Sequence, residues 1–147
     1  MSADYENCLK RGKIKPFSRG VALVSKELET ASSDLQRAEL TCKEGDYKWA
    51  TIQLYYAMFH SARALLYAKN LRECSHFCLI AAIKALYVET KKMPVQLLEG
   101  LKEAKALRED ADYYNRWSEH GCGKLLKIAK EFLTVATSLS NQCLNGK

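Results

Sequence analysis

From Val21 onward, apolar positions recur at alternating steps of three and four. Val21, Val24, Leu28, Ala31, Leu35 and Ala38 form one stripe, with Glu27, Glu29, Asp34, Gln36 and Arg37 filling the opposite side. That spacing predicts an amphipathic helix. Gly45 ends it, and Asp46 then offers an N-cap oxygen to the next helix. Residues 47–69 are apolar on two faces, Trp49, Ile52, Tyr56 and Phe59 on one and Leu54, Tyr55, Met58, Ala62 and Leu65 on the other. A helix apolar over most of its circumference belongs at the centre of a bundle. Residues 70–74 read as a connector, and Ser75 caps a third helix running to about Lys92 through Phe77, Ile80, Ala81, Ile83, Leu86 and Val88. Met93-Pro94 stops it and opens a fourth, whose seam is Val95, Leu98, Leu101, Ala104 and Leu107 or Arg108. A break over Asn115–Ser118 leaves Ser118 as the N-cap of a last helix lined by Leu125, Ile128, Phe132 and Val135, reaching about Leu144. No stretch alternates with a period of two long enough to build a sheet. The pattern predicts an all-α fold, an antiparallel up-down bundle of about five helices joined by short loops.

The first twenty residues fall outside this rhythm. Lys10, Arg11, Lys13, Lys15 and Arg19 face only Asp4 and Glu6, which places half of the chain's net charge of +6 there. Gly12 and Pro16 interrupt any helical period. Residues 1–18 are therefore expected to form a basic N-terminal arm, either solvated or in contact with phosphate, and residues 19–147 the bundle. At 147 residues with 48% hydrophobic and 27% charged positions, the chain has the balance of one folded domain, which excludes a disordered protein. No apolar run follows the N-terminal charges, and the most apolar stretch, Phe77 to Val88, contains Lys84. Neither a secretory leader nor a membrane span is expected, so the reading is a cytoplasmic protein whose six cysteines stay reduced. Cys74, His76 and Cys78, with His120 and Cys122, invite a zinc reading. Their spacing is not a usual structural zinc pattern, and the cysteines serve equally as small core residues. No metal is expected.

Phosphate-cradling glycine loops, nucleophile elbows and His-Glu-x-x-His pairs are missing from the sequence. His60 lies inside the most apolar helix and reads as a hydrogen-bonded packing residue, with Arg63 reaching a boundary. Arg72 and His76 span a loop-to-helix junction. The densest polar cluster is Arg108-Glu109-Asp110-Ala111-Asp112-Tyr113-Tyr114, in which Arg108 and Asp112, and Lys105 and Glu109, are i,i+4 neighbours. It reads either as a salt-bridged helix end or as a binding cleft built on an arginine. Arg116 and His120, four apart, would present a guanidinium and an imidazole together on an unbroken helix.

The string Tyr55-Tyr56-Ala57-Met58-Phe59-His60-Ser61-Ala62-Arg63-Ala64-Leu65-Leu66, followed by Leu107-Arg108-Glu109-Asp110-Ala111-Asp112-Tyr113 and then Ala129-Lys130-Glu131-Phe132, resembles the HEPN (higher eukaryotes and prokaryotes nucleotide-binding) family. The likeness spans roughly residues 20 to 140 and is closest to small stand-alone archaeal and bacterial members. It implies a four- or five-helix bundle, often a homodimer, encoded with a minimal nucleotidyltransferase as half of a toxin–antitoxin or defence module. Active members are endoribonucleases that need no metal or cofactor. Their motif is an arginine, four to six residues, then a histidine, with two subunits completing one cleft. A guanidinium grips phosphate oxygens in pairs, and an imidazole moves a proton near neutral pH.

Arg108 occupies the arginine position here, but Tyr113 and Tyr114 stand where the histidine belongs. A tyrosine, with an ordinary pKa of about 10, is a poor base at neutral pH. The resemblance with this departure implies binding of a nucleotidyltransferase partner, a nucleotide or RNA, through Arg108, Asp112, Tyr113, Tyr114, Arg116 and His120. Tyr113 or Tyr114 would be open to nucleotidylation by such a partner. The alternative is an active endoribonuclease pairing Arg108 or Arg116 with His120.

Overall fold

The computed structural model describes residues 2–145. Six helices follow one another: α1 Ala3–Lys10, α2 Gly20–Lys43, α3 Tyr47–Tyr67, α4 His76–Ile83, α5 Val95–Tyr113 and α6 Glu119–Asn145. Two short strands, β1 Ile14–Pro16 and β2 Leu71–Glu73, pair antiparallel with Ile14 opposite Glu73 and Pro16 opposite Leu71. The fold is the expected all-α bundle, α2 to α6, with one further helix at its N-terminal end. The caps fall where the sequence places them. Asp46 accepts from Trp49 N at 3.3 Å, Ser75 from Cys78 N at 3.1 Å and Ser118 from Gly121 N at 2.9 Å. Gly45, at φ +81°, turns the chain between α2 and α3 in the conformation that favours glycine.

α3 is the axis of the molecule and packs against α2, α4, α5 and α6. Its Leu54, Tyr55, Met58, Leu65 and Leu66 are buried against Ile83, Tyr87, Leu98, Leu101, Leu125 and Phe132. Tyr87 can sit in that core because its hydroxyl donates to Leu65 O at 2.6 Å, so its own polar group is paired. α5 and α6 approach closely at Gly100, where a Cβ would come within 2.5 Å of the Ile128 side chain. The third helix ends earlier than its apolar pattern suggests. α4 passes into one π turn, Lys84–Val88, and Lys92 N and Met93 N both turn back to Tyr87 O while Lys91 takes a φ of +61°.

The N-terminal segment corrects the expectation of a solvated arm. Ser2 caps α1 through Tyr5 N, and Tyr5, Cys8 and Ile14 are buried against the bundle. β1 is tied to β2 and flanked by bonds from Cys74 N to Lys13 O and from Phe17 N to Asn70 O. Three apolar side chains scattered among basic ones, and a three-residue strand ending in proline, carry too little periodicity to announce this. The basic side chains stay outside while the apolar ones anchor the segment. Met1 and residues 146–147, the outer ends of the two predicted intervals, lie outside the described residues.

The cysteines need a second correction. Cys8 and Cys78 form a disulfide that joins α1 to α4, with Cα atoms 5.8 Å apart, so the expectation of six reduced cysteines fails for this pair. Their 70-residue separation hid the pairing. Cys42, Cys74, Cys122 and Cys143 are free thiols. Among the described residues, no helix is long and apolar enough to cross a membrane.

His60 and Arg63 stand where α3 faces α2 and β2. His60 Nδ1 lies 3.1 Å from Glu27 Oε1, the packing role expected of it. Arg63 donates through Nη2 and Nε to Glu73 Oε2 at 2.8 and 3.1 Å, and its guanidinium covers the Phe59 ring. The Glu73 side chain is only 4% exposed, so this pair supplies the positive charge that a buried carboxylate requires.

Candidate functional site

The distal turns of α5 carry Arg108 against the N-terminal half of α3. Its side chain is 15% exposed, and Nη2 lies 3.1 Å from Asp112 Oδ2, one turn ahead. The guanidinium carbon sits 5.4 Å from the centre of the Tyr56 ring and 5.2 Å from that of Tyr113. Burial lowers the affinity of Arg108 for its proton, but Tyr56, Tyr113 and Asp112 more than offset this, so the pKa is raised and the charge is held. Nε is buried with no hydrogen-bond partner among the described residues. Arg108 is thus a cation lying against two rings, paired with the Asp112 carboxylate and further held by Tyr113.

A histidine from a different part of the chain joins this wall. His76 opens α4, and its ring stacks on Phe59 at 4.8 Å and on Tyr55 at 5.6 Å. Tyr56 packs edge-on against both Tyr55 and Phe59, linking the ring under Arg108 to the rings under His76. The His76 pKa is lowered, first by burial and then by the positive charges of Arg108 and Lys105. Burial also pushes the Tyr55 hydroxyl well above its ordinary value, so that hydroxyl keeps its proton. Tyr55 and His76 Nδ1 are hydrogen-bonded. With Tyr55 as the donor the His76 proton sits on Nε2, and in the opposite tautomer Nδ1–H donates to the Tyr55 oxygen. In either tautomer Nε2 is the ring nitrogen that Tyr55 does not engage.

The other predicted residues divide. Tyr113 and Tyr114, 64% and 63% exposed, stand at the end of α5, with Arg116 over the Tyr114 ring at 5.3 Å. Arg116 and His120 do not share a helix, because α5 ends at Tyr113 and α6 starts at Glu119. The i,i+4 geometry between them does not form. His120 instead lines a depression with Lys43, Tyr47 and Lys124. Among the described residues it makes no polar contact with Arg108 or Arg116. Of the zinc candidates, Cys78 is bonded to Cys8 and His76 to Tyr55.

The sequence reading missed His76, thirty-two positions before Arg108, for want of any spacing signal. It placed Trp49 on an apolar face with Tyr56, and the structure leaves Trp49 half exposed near the loop that carries Trp117. Seven residues apart on α3, Trp49 and Tyr56 fall on one stripe. Only the packing of α5 and α6 decides which end of that stripe is covered.

The HEPN domain model matches residues 24–139, most of the chain. This chain belongs to the HEPN family. UPF0332 protein glr0978 of Gloeobacter violaceus is 31% identical over 74% of this chain and 89% of its own length. Putative toxin MJ0142 of Methanocaldococcus jannaschii is 29% identical over 61% of each chain, so the match spans about three fifths of that relative. A second protein of that organism, putative toxin MJ0605, is 31% identical over 58% of this chain and 64% of its own. In fold, the HEPN bundle here is similar to the crystal structure of TT1696 from Thermus thermophilus. The TM-score is 0.68, with 17% identity, 80% of this chain and 98% of that one.

Proposed function

We propose that this HEPN protein is a toxin-like RNA-binding module whose working surface is the Arg108 end of α5. The observation that carries the reading is Arg108 itself: a charge held between Tyr56 and Tyr113, mostly buried, and paired with the partly solvated Asp112 carboxylate. A phosphate that displaces Asp112 meets a planar fork already oriented, so little side-chain entropy is lost on binding. His76 Nε2–H adds a neutral donor in the same neighbourhood. The motif has tyrosine where active members of the family have histidine, and His76 with its proton on Nε2 holds a phosphate rather than taking a proton. The relatives named as toxins support a place in a two-component module. In that setting the chain acts as a homodimer and meets a nucleotidyltransferase partner. The exposed phenols of Tyr113 and Tyr114 are the groups such a partner would modify. A phenol oxygen attacks the α-phosphorus of ATP, pyrophosphate leaves and the phenolic proton passes to solvent. Intact mass after incubation with the partner and ATP reads this directly.

The test of the main reading is incubation with single-stranded RNA in EDTA. Wild type is expected to retain the RNA intact and Arg108→Ala to release it. Equal retention by both would overturn the reading. One observation favours a second reading, metal-independent cleavage: the fold supplies near Arg108 the imidazole that the motif lacks. It requires the opposite tautomer, with Nδ1–H donating to Tyr55 and Nε2 free to accept the ribose proton. RNA cut by wild type and by His120→Ala, but not by His76→Ala, would establish it in place of binding alone.

A further inference from the structure

Tryptophan is seldom left open to solvent, because its ring carries a large apolar surface. Here Trp49 is 50% and Trp117 46% exposed, and they share one surface. Lys48 Nζ lies 5.4 Å from the centre of the Trp49 ring and 5.8 Å from that of Trp117. It also donates to Asn115 Oδ1 at 3.2 Å, which ties the start of α3 to the loop between α5 and α6. That loop is held in shape. Asn115 takes a φ of +55°, Arg116 N bonds back to Asp110 O at 2.9 Å, and Ser118 caps α6. The two indoles are therefore presented on a built support.

We propose that Trp49 and Trp117, with Lys48 between them, form a shelf on which unpaired bases of single-stranded RNA stack as the strand runs into the Arg108 cleft. The inference rests on the reading of Arg108 as the phosphate grip and adds to it the strandedness of the ligand. Three observations support this occupant. The shelf and the cleft share one stripe of α3: Trp49 and Tyr56 lie two turns apart on it, and Tyr56 is the ring against Arg108. Next, rings and cations alternate along the surface, Lys48 with the indoles, Arg116 with Tyr114, and Arg108 with Tyr113 and Tyr56. Single-strand binders use this combination, stacking bases on rings while cations follow the backbone. Finally, the carboxylate nearest the start of α3, Asp46, is engaged as that helix's cap. A second copy or another protein seated here would have to desolvate Lys48 and Arg116, which form no salt bridge among the described residues, whereas a polyanion neutralises them.

The experiment is fluorescence anisotropy with two labelled oligoribonucleotides of about 12 nucleotides, inside the usual site size of single-strand binders. One strand carries bases and the other is abasic, with the same number of phosphates. Trp49→Ala and Trp117→Ala are each expected to weaken the strand with bases by roughly 5- to 150-fold, the range for one lost stacking contact, and to leave the abasic strand unchanged. Trp49→Phe, which keeps a ring, is expected to recover most of the affinity and controls for folding. Arg108→Ala is expected to weaken both strands. If the tryptophan variants bind both strands as wild type does while Arg108→Ala loses both, the shelf is overturned and the cleft stands. If Arg108→Ala binds as wild type while the tryptophan variants lose the strand with bases, the shelf stands and the cleft reading fails. Wild type that binds neither strand overturns both. Tryptophan variants that dissociate a dimer in light scattering yet keep their affinity for RNA assign the shelf to a second copy and overturn the proposal.

Discussion

The Tyr55 hydroxyl is hydrogen-bonded to His76 Nδ1, across the junction of α3 and α4. Both rings lie in the wall that Arg108 completes, and the bond leaves Nε2 as the ring nitrogen free for a ligand. One pH prediction follows from the environment of His76. Burial, Arg108 and Lys105 lower its pKa, as does Arg63 from α3, with Glu73 opposing from β2. Between the lowered folded value and the ordinary 6.5, the unfolded chain binds the proton and the folded chain does not. Stability is therefore fully present above about pH 6.5 and falls as the pH drops through that window. His76→Gln is expected to flatten the decline in urea midpoint between pH 7 and 5.5. A variant that declines in parallel with wild type would show that His76 does not cause it.

Arg63 and Glu73 give a stability prediction. Arg63→Ala strands a carboxylate that is 4% exposed, and breaking a buried pair in this way costs about 3–5 kcal/mol. The double change Arg63→Met with Glu73→Leu is expected to be more stable than the single one, since no unpaired charge remains. Chemical denaturation of both variants checks it; a double variant no better than the single one would contradict the account.

Asp112 should compete with phosphate for Arg108. Its carboxylate is partly solvated, and pairs of that kind hold only about 0.2–1 kcal/mol. Asp112→Asn is expected to bind single-stranded RNA more tightly at low salt, by up to about fivefold. The gain should shrink as salt rises. Weaker binding would mean that Asp112 positions Arg108 more than it masks it.

The Cys8–Cys78 bond closes a long loop, for which a disulfide typically contributes about 2–4 kcal/mol. Reduction is expected to lower the urea midpoint of wild type but not that of a Cys8→Ala, Cys78→Ala variant. Thiol titration of the unfolded, unreduced chain should give the four free cysteines; six would contradict the pairing.

Helices α2 to α6 were legible because each has an apolar stripe and the last four have a marked start, at Asp46, Ser75, Pro94 and Ser118. The docked N-terminal segment was not, since Tyr5, Cys8 and Ile14 reveal their role only once Leu71–Glu73 and α4 are beside them. Arg108 and its pairing with Asp112 could be read from local spacing. His76 could not, because its approach is produced by α4 crossing α3 rather than by any repeat in the chain. Arg116 and His120 have a spacing that suits a helix, but the break expected over Asn115–Ser118 separates them in the structure as well.

The central claim is that Arg108 holds an RNA phosphate. The measurement that tests it most directly is the salt dependence of single-stranded RNA affinity for wild type and Arg108→Ala. The account predicts weaker binding by the variant at every salt concentration, and a slope of log K against log salt smaller by about 0.7, the share of one phosphate contact on a single strand. Equal affinities and parallel slopes would contradict it.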